Sequence, residues 1–177
     1  MYGKLIPRNQ KSSGGQRAQA IVEFAIVLPV LLVLLLGVVE VGRILIIYAS
    51  VTNASREAVR FGSAIGFHDT TYIRKYQYCS GIRDAAKRSS FLANVQNSNI
   101  RIYYDSGPST TATEKCTGSS YGATSDTTIV VTQGTSRVKV TVTATYTPIT
   151  SLLPISSRTI TSTSARTILG YVDVSYP

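Results

Sequence analysis

The stretch that decides the fold runs from residue 20 to residue 48 and reads AIVEFAIVLPVLLVLLLGVVEVGRILIIY. The twenty residues from Ala20 to Val39 contain a single charged side chain, that of Glu23. A helix of that length rises about 30 Å, which is the thickness of the hydrocarbon core of a bilayer. We therefore predict a membrane span at residues 20–39. A carboxylate within a span is costly and indicates a function, whereas at headgroup depth its cost would be small.

The residues before the span are polar and basic. They contain no acid, and four of the 18 Lys and Arg residues of the chain lie there: Lys4, Arg8, Lys11 and Arg17. Such an excess is typical of the cytoplasmic flank of a membrane helix, so we expect the N-terminus inside and the C-terminal part outside. The apolar run is too long for an ordinary secretory signal, and no A-x-A-like site follows it. Residues 1–18 are thus predicted to be a basic cytoplasmic leader.

Residues compatible with a helix continue beyond the span to about residue 65. Apolar residues recur there at alternating spacings of three and four, which places them on one face of a helix. We expect this face to pack against the rest of the protein. Its members are Ile44, Ile47, Val51, Ala54, Ala58, Phe61 and Ile65. Within the span, Pro29 removes one helical hydrogen bond, which is compatible with a purely structural proline or with a hinge.

Residues 66–177 leave about 110 residues for one extracytoplasmic domain. Alternating apolar and polar residues predict strands, and a Gly-centred turn predicts a hairpin between the second and third of them. The predicted strands are 100–104, 127–132, 136–147 and 158–169, with a short helix at 81–96 and a loop at 106–128. The fold class is therefore α+β, in which a long transmembrane and amphipathic N-terminal helix packs on a small antiparallel sheet.

Cys79 and Cys116 are the two cysteines of the chain. On the expected orientation both lie outside the cytoplasm, where disulfides persist. A bridge would stabilise the domain by roughly 3–4 kcal/mol in the chain-entropy model, and two separately buried thiols are the alternative. The sequence has neither a C-x-x-C pair nor a nearby histidine, which argues against a zinc site.

Neither an enzyme nor a nucleic-acid-binding protein is indicated. The net charge of +9 comes from scattered side chains rather than from a basic stripe. A G-x-S-x-G match at residues 118–122 lies in the Ser- and Gly-rich loop, and the single histidine, His68, precedes it. Phosphate-binding, dinucleotide and zinc-protease motifs do not occur. We expect no catalytic residues, no metal, no cofactor and no nucleic-acid partner.

Three motifs carry a resemblance to a known family. They are RAQAIVEFAIVLP at residues 17–29, GVVEVGR at 37–43 and NASREAVR at 53–60. In order and spacing the chain resembles the TadE-like family, which comprises minor pilins or pseudopilins of the Tad branch of type IV pilus systems. The resemblance is specific over about residues 17–62 and loose over the head.

The resemblance implies processing by a prepilin peptidase on the cytoplasmic side, between Ala18 and Gln19. Ala18 stands where the family usually has glycine. Glu23 would become the fifth residue of the mature chain, and Glu23 and Phe24 are implied to act in subunit assembly. There the carboxylate can pair with the new α-amino group of a neighbouring subunit or of its own chain. The implied partners are the peptidase, membrane lipid, other pilin or pseudopilin subunits and the pilus assembly platform.

The expected function is that of a non-enzymatic minor pilin or pseudopilin, inserted in the bacterial cytoplasmic membrane and then assembled into, or priming, a surface pilus. One alternative is a major filament subunit of a divergent type IV pilus system. Another is a single-pass membrane-anchored adhesion or binding domain that does not assemble. The expected divisions are a leader at 1–18, a long helix at 19–65, amphipathic from residue 40, and a head at 66–177.

Overall fold

The computed structural model describes residues 14–68, 73–118, 121–132, 134–150 and 155–169. The chain divides into two units, residues 1–40 and 41–177. The described residues contain the helices α1 (Gly14–Gly62) and α2 (Cys79–Ser89), and the strands β1 (Phe67–His68), β2 (Ile73–Arg74), β3 (Ile100–Asp105), β4 (Thr113–Lys115), β5 (Arg137–Tyr146) and β6 (Arg158–Thr167). A long apolar helix followed by an antiparallel sheet confirms the α+β prediction.

The first unit contributes the apolar part of α1. Among the described residues, α1 is the one helix long and apolar enough to cross a membrane. Large apolar side chains from Ile21 to Leu35 are between 37% and 69% exposed. So large an apolar surface requires lipid or other helices to cover it.

The helix ends at Gly62, three residues before the predicted end. Beyond it, the Ser63 N–H still donates to the Val59 carbonyl at 2.9 Å. Gly66 then adopts a φ of +114°, in a region that glycine populates far more readily than other residues. Ile65 therefore lies beyond the helix and is 48% exposed, so its predicted place on the apolar face is wrong.

The head is built on a four-stranded antiparallel sheet in the order β4-β3-β5-β6. β5 is central and pairs with β6 along its whole length, from Arg137 opposite Thr167 to Tyr146 opposite Arg158. The alternation predicted for this strand is confirmed, because its even-numbered residues from Val138 to Tyr146 are buried and its odd-numbered ones are not. β1 and β2 form a separate pair of two-residue strands.

Three local predictions are wrong. β4 lies within the predicted loop at 106–128, where three residues pair with β3. Residues 127–132 do not form a strand, so the predicted hairpin is absent from the described residues. The Asp126 carboxylate accepts hydrogen bonds from the Thr128 N–H at 3.1 Å and from the Thr128 hydroxyl at 2.6 Å. Such a side-chain contact two residues on stabilises a turn rather than an extended strand.

The third wrong prediction concerns α2, which is shorter than expected. It ends at Ser89, and a 3-10 turn follows at Phe91–Ala93. Ile82, Ala85 and Ala86 are buried, as their spacing indicates. Phe91 and Leu92 are 85% and 64% exposed, because the chain has left the helix before it reaches them.

The hydrophobic core contains residues of α1, α2 and one face of the sheet. From α1, Val51, Ala54 and Ala58 are completely buried in it. Gly62 permits close approach, since a methyl group added there would lie 3.1 Å from Cδ1 of Ile82. The second half of α1 is thus part of the head as well as a continuation of the apolar helix.

Candidate functional site

The processing site predicted from the family resemblance lies near the start of α1. Ala18 and Gln19 are exposed and follow the first helical residue, Gly14, by only four and five positions. The first turn of a helix has N–H groups without helical partners and frays easily. The peptide bond between Ala18 and Gln19 lies just beyond this first turn, near the start of the helix.

Glu23 lies one helical turn after Gln19. The Gln19 amide nitrogen Nε2 donates a hydrogen bond to Glu23 Oε1 at 3.0 Å, and both side chains are exposed. Residues four apart occupy the same face of a helix. An α-amino group created at Gln19 would lie on the residue that already reaches the Glu23 carboxylate. The geometry thus allows pairing within one chain, and the exposure of Glu23 allows pairing with another.

The surroundings of Glu23 are apolar. Phe24 beside it is 64% exposed, and Glu23 is the one charged residue between Ala18 and Val39. An ionised carboxylate in such surroundings is strongly destabilised unless it is paired. Placed in a bilayer or between packed helices, this segment would therefore favour the approach of a cation.

Pro29 lies inside α1, and the helix continues through it. Proline has no N–H, so the Ala25 carbonyl lacks its usual partner four residues on. A shallow apolar depression of about 300 Å³ lies here, lined by Pro29, Val30, Val33 and Leu34. The structure shows a continuous helix at this point, and a hinge role for Pro29 stays a prediction.

The face of α1 that was predicted to meet the head is divided between core and rim. Val51, Ala54 and Ala58 are in the core, Ile47 and Phe61 pack against its edge, and Ile44 is half-buried. Near the same end of the face, Arg43 Nη1 donates to the Thr147 carbonyl at 3.4 Å. Its guanidinium also lies over the Tyr146 ring, 5.6 Å from the centroid. These contacts join α1, at Arg43, to the C-terminal end of β5.

A buried hydroxyl cluster joins α1 to β6. Ser55 is completely buried, and its Oγ lies 3.1 Å from Ser162 Oγ and 2.9 Å from Ser164 Oγ. The Ser55 hydroxyl also lies 2.9 Å from the Thr52 carbonyl. Sequence reasoning did not find this cluster, although serines at two inward positions of β6 were its signal. A serine of the helix gives both of these hydroxyls a hydrogen-bond partner.

The two cysteines are joined in the structure, with their Cα atoms 5.7 Å apart. Beside them Arg83 is 1% exposed and donates hydrogen bonds to the carbonyls of Cys116 and Ala123. Burial lowers the pKa of the Arg83 guanidinium. Nothing in the sequence singled out Arg83, because an arginine on a short amphipathic helix is usually exposed.

The loop closed by Cys116 and Arg83 is conformationally restricted. Cys116, Gly118 and Tyr121 have φ values of 63°, 38° and 58°, which are left-handed. Asp126 Oδ2 accepts a hydrogen bond from the Cys116 N–H at 3.2 Å. Burial alone would raise the pKa of Asp126, but hydrogen bonds from Thr128 and Cys116 lower it overall. The hydrogen bond between Cys116 and Asp126 stabilises this loop. The described residues hold no group of three or more His, Cys, Asp or Glu placed to bind a metal.

Comparison with known proteins gives one match. Residues 18–60 match the family model described as TadE-like protein. No curated protein and no solved structure matches the chain. The matched segment begins at the predicted processing site, includes Glu23 and Pro29, and ends two residues before the end of α1. TadE-like proteins are pilin-like structural proteins associated with Tad pili. Residues 18–60 of this chain therefore match the TadE-like family, in the segment where its sequence motifs carry the resemblance.

Proposed function

We propose that this chain is a non-enzymatic minor pilin or pseudopilin of a Tad-type pilus. The observation that carries the proposal is the TadE-like match over a helix whose exposed apolar stretch, residues 20–39, contains one carboxylate, Glu23. Residues 20–39 hold the chain in the bacterial cytoplasmic membrane, with the leader inside and the head at 66–177 outside. From there the subunit joins or primes the filament.

The proposed mechanism depends on a charge pair. Cleavage between Ala18 and Gln19 creates an α-amino group one helical turn before Glu23. In apolar surroundings a lone carboxylate and a lone ammonium are each destabilised, and their pairing removes most of that penalty. Docking against a neighbouring subunit is favoured when it brings the two charges together. In the filament, the apolar faces of neighbouring helices then replace lipid around residues 20–39.

The test is substitution of Glu23, with Glu57 as the matched control. Glu57 lies on the same helix, its side chain is 42% exposed, and it contacts Arg60 at 3.7 Å. We expect Glu23→Ala and Glu23→Gln to insert in the membrane normally and to lower recovery in sheared pili by about tenfold or more, as an unpaired buried charge implies. Glu57→Gln should match the wild type. Normal incorporation of the membrane-inserted Glu23→Ala variant would contradict the proposal.

The composition of the purified pilus separates the proposal from its two rivals. A minor pilin or pseudopilin is present in small amount or acts without lasting incorporation. A chain that forms most of the pilus mass would instead be a major subunit. A chain that stays in the membrane fraction, and whose deletion leaves pilus formation unchanged, would be a plain anchored domain.

A further inference from the structure

The outer strand β6 has an open edge. All ten of its residues pair with β5 on one side, and among the described residues none pairs on the other. An open edge presents a row of backbone N–H and C=O groups to any extended chain that approaches. Ten residues span roughly 33 Å, which is long for an edge strand.

β6 also lacks most of the features that protect an edge. Its register with β5 runs without interruption from Arg158 to Thr167, so the strand has no bulge. It contains neither proline nor glycine, and threonine and isoleucine make up half of it. Such residues favour an extended conformation. β4, at the opposite edge, has only three residues.

Charge is the one protective feature of this edge. Arg158 and Arg166 lie at its two ends, roughly 26 Å apart, and both are exposed. Neither forms an ion pair with another described residue. No acid occurs between residues 155 and 169. The two arginines share the face of the strand that carries Ser162 and Ser164, which places them over the helix side of the sheet.

The arginines disfavour a second copy as the occupant. If two copies of β6 paired antiparallel about a two-fold axis, the two sheets would form one continuous sheet. The helix sides of both sheets would then lie on the same side of it. When such a pair is centred on Ser162, Arg158 of each copy lies opposite Arg166 of the other. Like charges directly opposite one another destabilise a strand pair.

We propose that the β6 edge binds an extended acidic segment of a different protein, which adds a fifth strand to the sheet. Backbone hydrogen bonds supply the affinity, and carboxylates opposite Arg158 and Arg166 select the partner. The surface lies in the head and does not depend on Glu23, on processing or on pilus assembly. The inference therefore goes beyond the proposed function.

The test uses the full chain in lipid nanodiscs and a labelled synthetic peptide of ten residues, the same length as β6. The peptide alternates threonine and valine and has aspartate near both ends. One control peptide has lysine in place of aspartate, and another has N-methylated backbone amides. Binding is followed by fluorescence anisotropy, and amide exchange is measured at residues 158–167.

We expect the wild type to bind the aspartate peptide at least about tenfold more tightly than the lysine peptide. The peptide should slow amide exchange in β6, and N-methylation should abolish both effects. Arg158→Glu/Arg166→Glu should reverse the preference between the two peptides. The matched control is Arg56→Glu/Arg88→Glu, which changes two exposed arginines outside the sheet and should leave the preference unchanged. Slow exchange in β5 shows that each variant is folded.

Equal affinity for the aspartate and lysine peptides would overturn the proposal, as would the absence of binding. Binding of the N-methylated peptide would show a side-chain contact instead of strand addition. A wild-type dimer with β6 already protected in the absence of peptide would identify a second copy as the occupant and would also overturn it.

Discussion

Ser55 shows how one small side chain can join a helix to a sheet. Ser55 is completely buried, and its hydroxyl contacts the hydroxyls of Ser162 and Ser164 and the Thr52 carbonyl in a part-buried site. A buried polar group that loses its partner costs about 1–3 kcal/mol, whereas replacement of all partners by apolar groups can be nearly neutral. The effects of substituting the three serines on the free energy of unfolding should therefore not be additive.

We predict that Ser55→Ala lowers the free energy of unfolding of the head by about 1–3 kcal/mol, because two hydroxyls on β6 are left without it. The triple variant Ser55→Ala/Ser162→Ala/Ser164→Ala should cost less than the sum of its single substitutions. Urea unfolding in detergent, followed by tyrosine fluorescence, measures both. Strict additivity of the three costs would contradict the account.

Asp105 and Arg137 form the best-aligned ion pair among the described residues. Arg137 Nε and Nη2 donate to the two carboxylate oxygens of Asp105 at 2.7 and 2.9 Å, and Nη2 also donates to the Gly107 carbonyl. These hydrogen bonds from Arg137 lower the pKa of the Asp105 carboxyl below its ordinary value of 3.8. The folded state therefore binds this proton less readily than the unfolded state.

Because the pKa of Asp105 is lower in the folded state than in the unfolded state, the free energy of unfolding depends on pH. The stability from Asp105 is fully present above about pH 4, the unfolded pKa, and is lost as the pH falls through the lower folded value. Asp105→Asn should lower the free energy of unfolding by about 2 kcal/mol at neutral pH and flatten its decline in acid. Thermal melts from neutral pH to about pH 2 test this. An unchanged acid slope in the variant would contradict it.

At the level of secondary structure, α2 is tied to the loop after β4 by both a covalent bond and a buried cation. The disulfide joins Cys79 to Cys116, and Arg83, one turn further along α2, binds the Cys116 and Ala123 carbonyls. This arrangement holds three residues in left-handed conformations. The loop conformation should therefore depend on Arg83 even when the disulfide is intact.

We predict that Arg83→Met lowers the free energy of unfolding by about 2–4 kcal/mol, because one buried and one part-buried carbonyl lose their donor. Arg88→Met is the matched control, since Arg88 lies on the same helix and is exposed, and it should change stability by no more than about 0.5 kcal/mol. Thermal melts under non-reducing conditions measure both. Equal effects of the two substitutions would show that Arg83 does not hold the loop.

Elements with one buried face were predictable from the sequence, because burial leaves a period in the residues. β5 shows this most clearly, with Val138, Val140 and Val142 on the core side. The same residue types at 129–131 gave a wrong strand, since Asp126 forms a turn there. β4 could not be predicted because its three residues depend on pairing with β3.

Contacts between elements left weaker signals. Arg83 looks like a surface residue of α2, but in the structure it donates hydrogen bonds to the Cys116 and Ala123 carbonyls. Ser55 looks like a neutral helix residue until β6 packs against it. In both cases the side chain is satisfied by groups distant in sequence, so periodicity carries no information about the contact.

For the molecule as a whole, the sequence is most informative where one physical constraint acts on every residue. Residues 20–39 of α1 are apolar apart from Glu23, so both the extent of this segment and its one carboxylate are evident from the sequence. In the head, each helix or strand must bury just one of its faces, and many different sequences satisfy that requirement.

The central claim is that α1 is a processed pilin-type helix with Glu23 at the fifth position of the mature chain. Intact-mass and N-terminal peptide analysis of the native protein, from membranes and from sheared pili, tests it most directly. The account predicts a chain that begins at Gln19 in wild-type cells and retains Ala18 and the preceding residues in cells without the prepilin peptidase. A native chain that keeps residues 1–18 in both fractions of wild-type cells would contradict it.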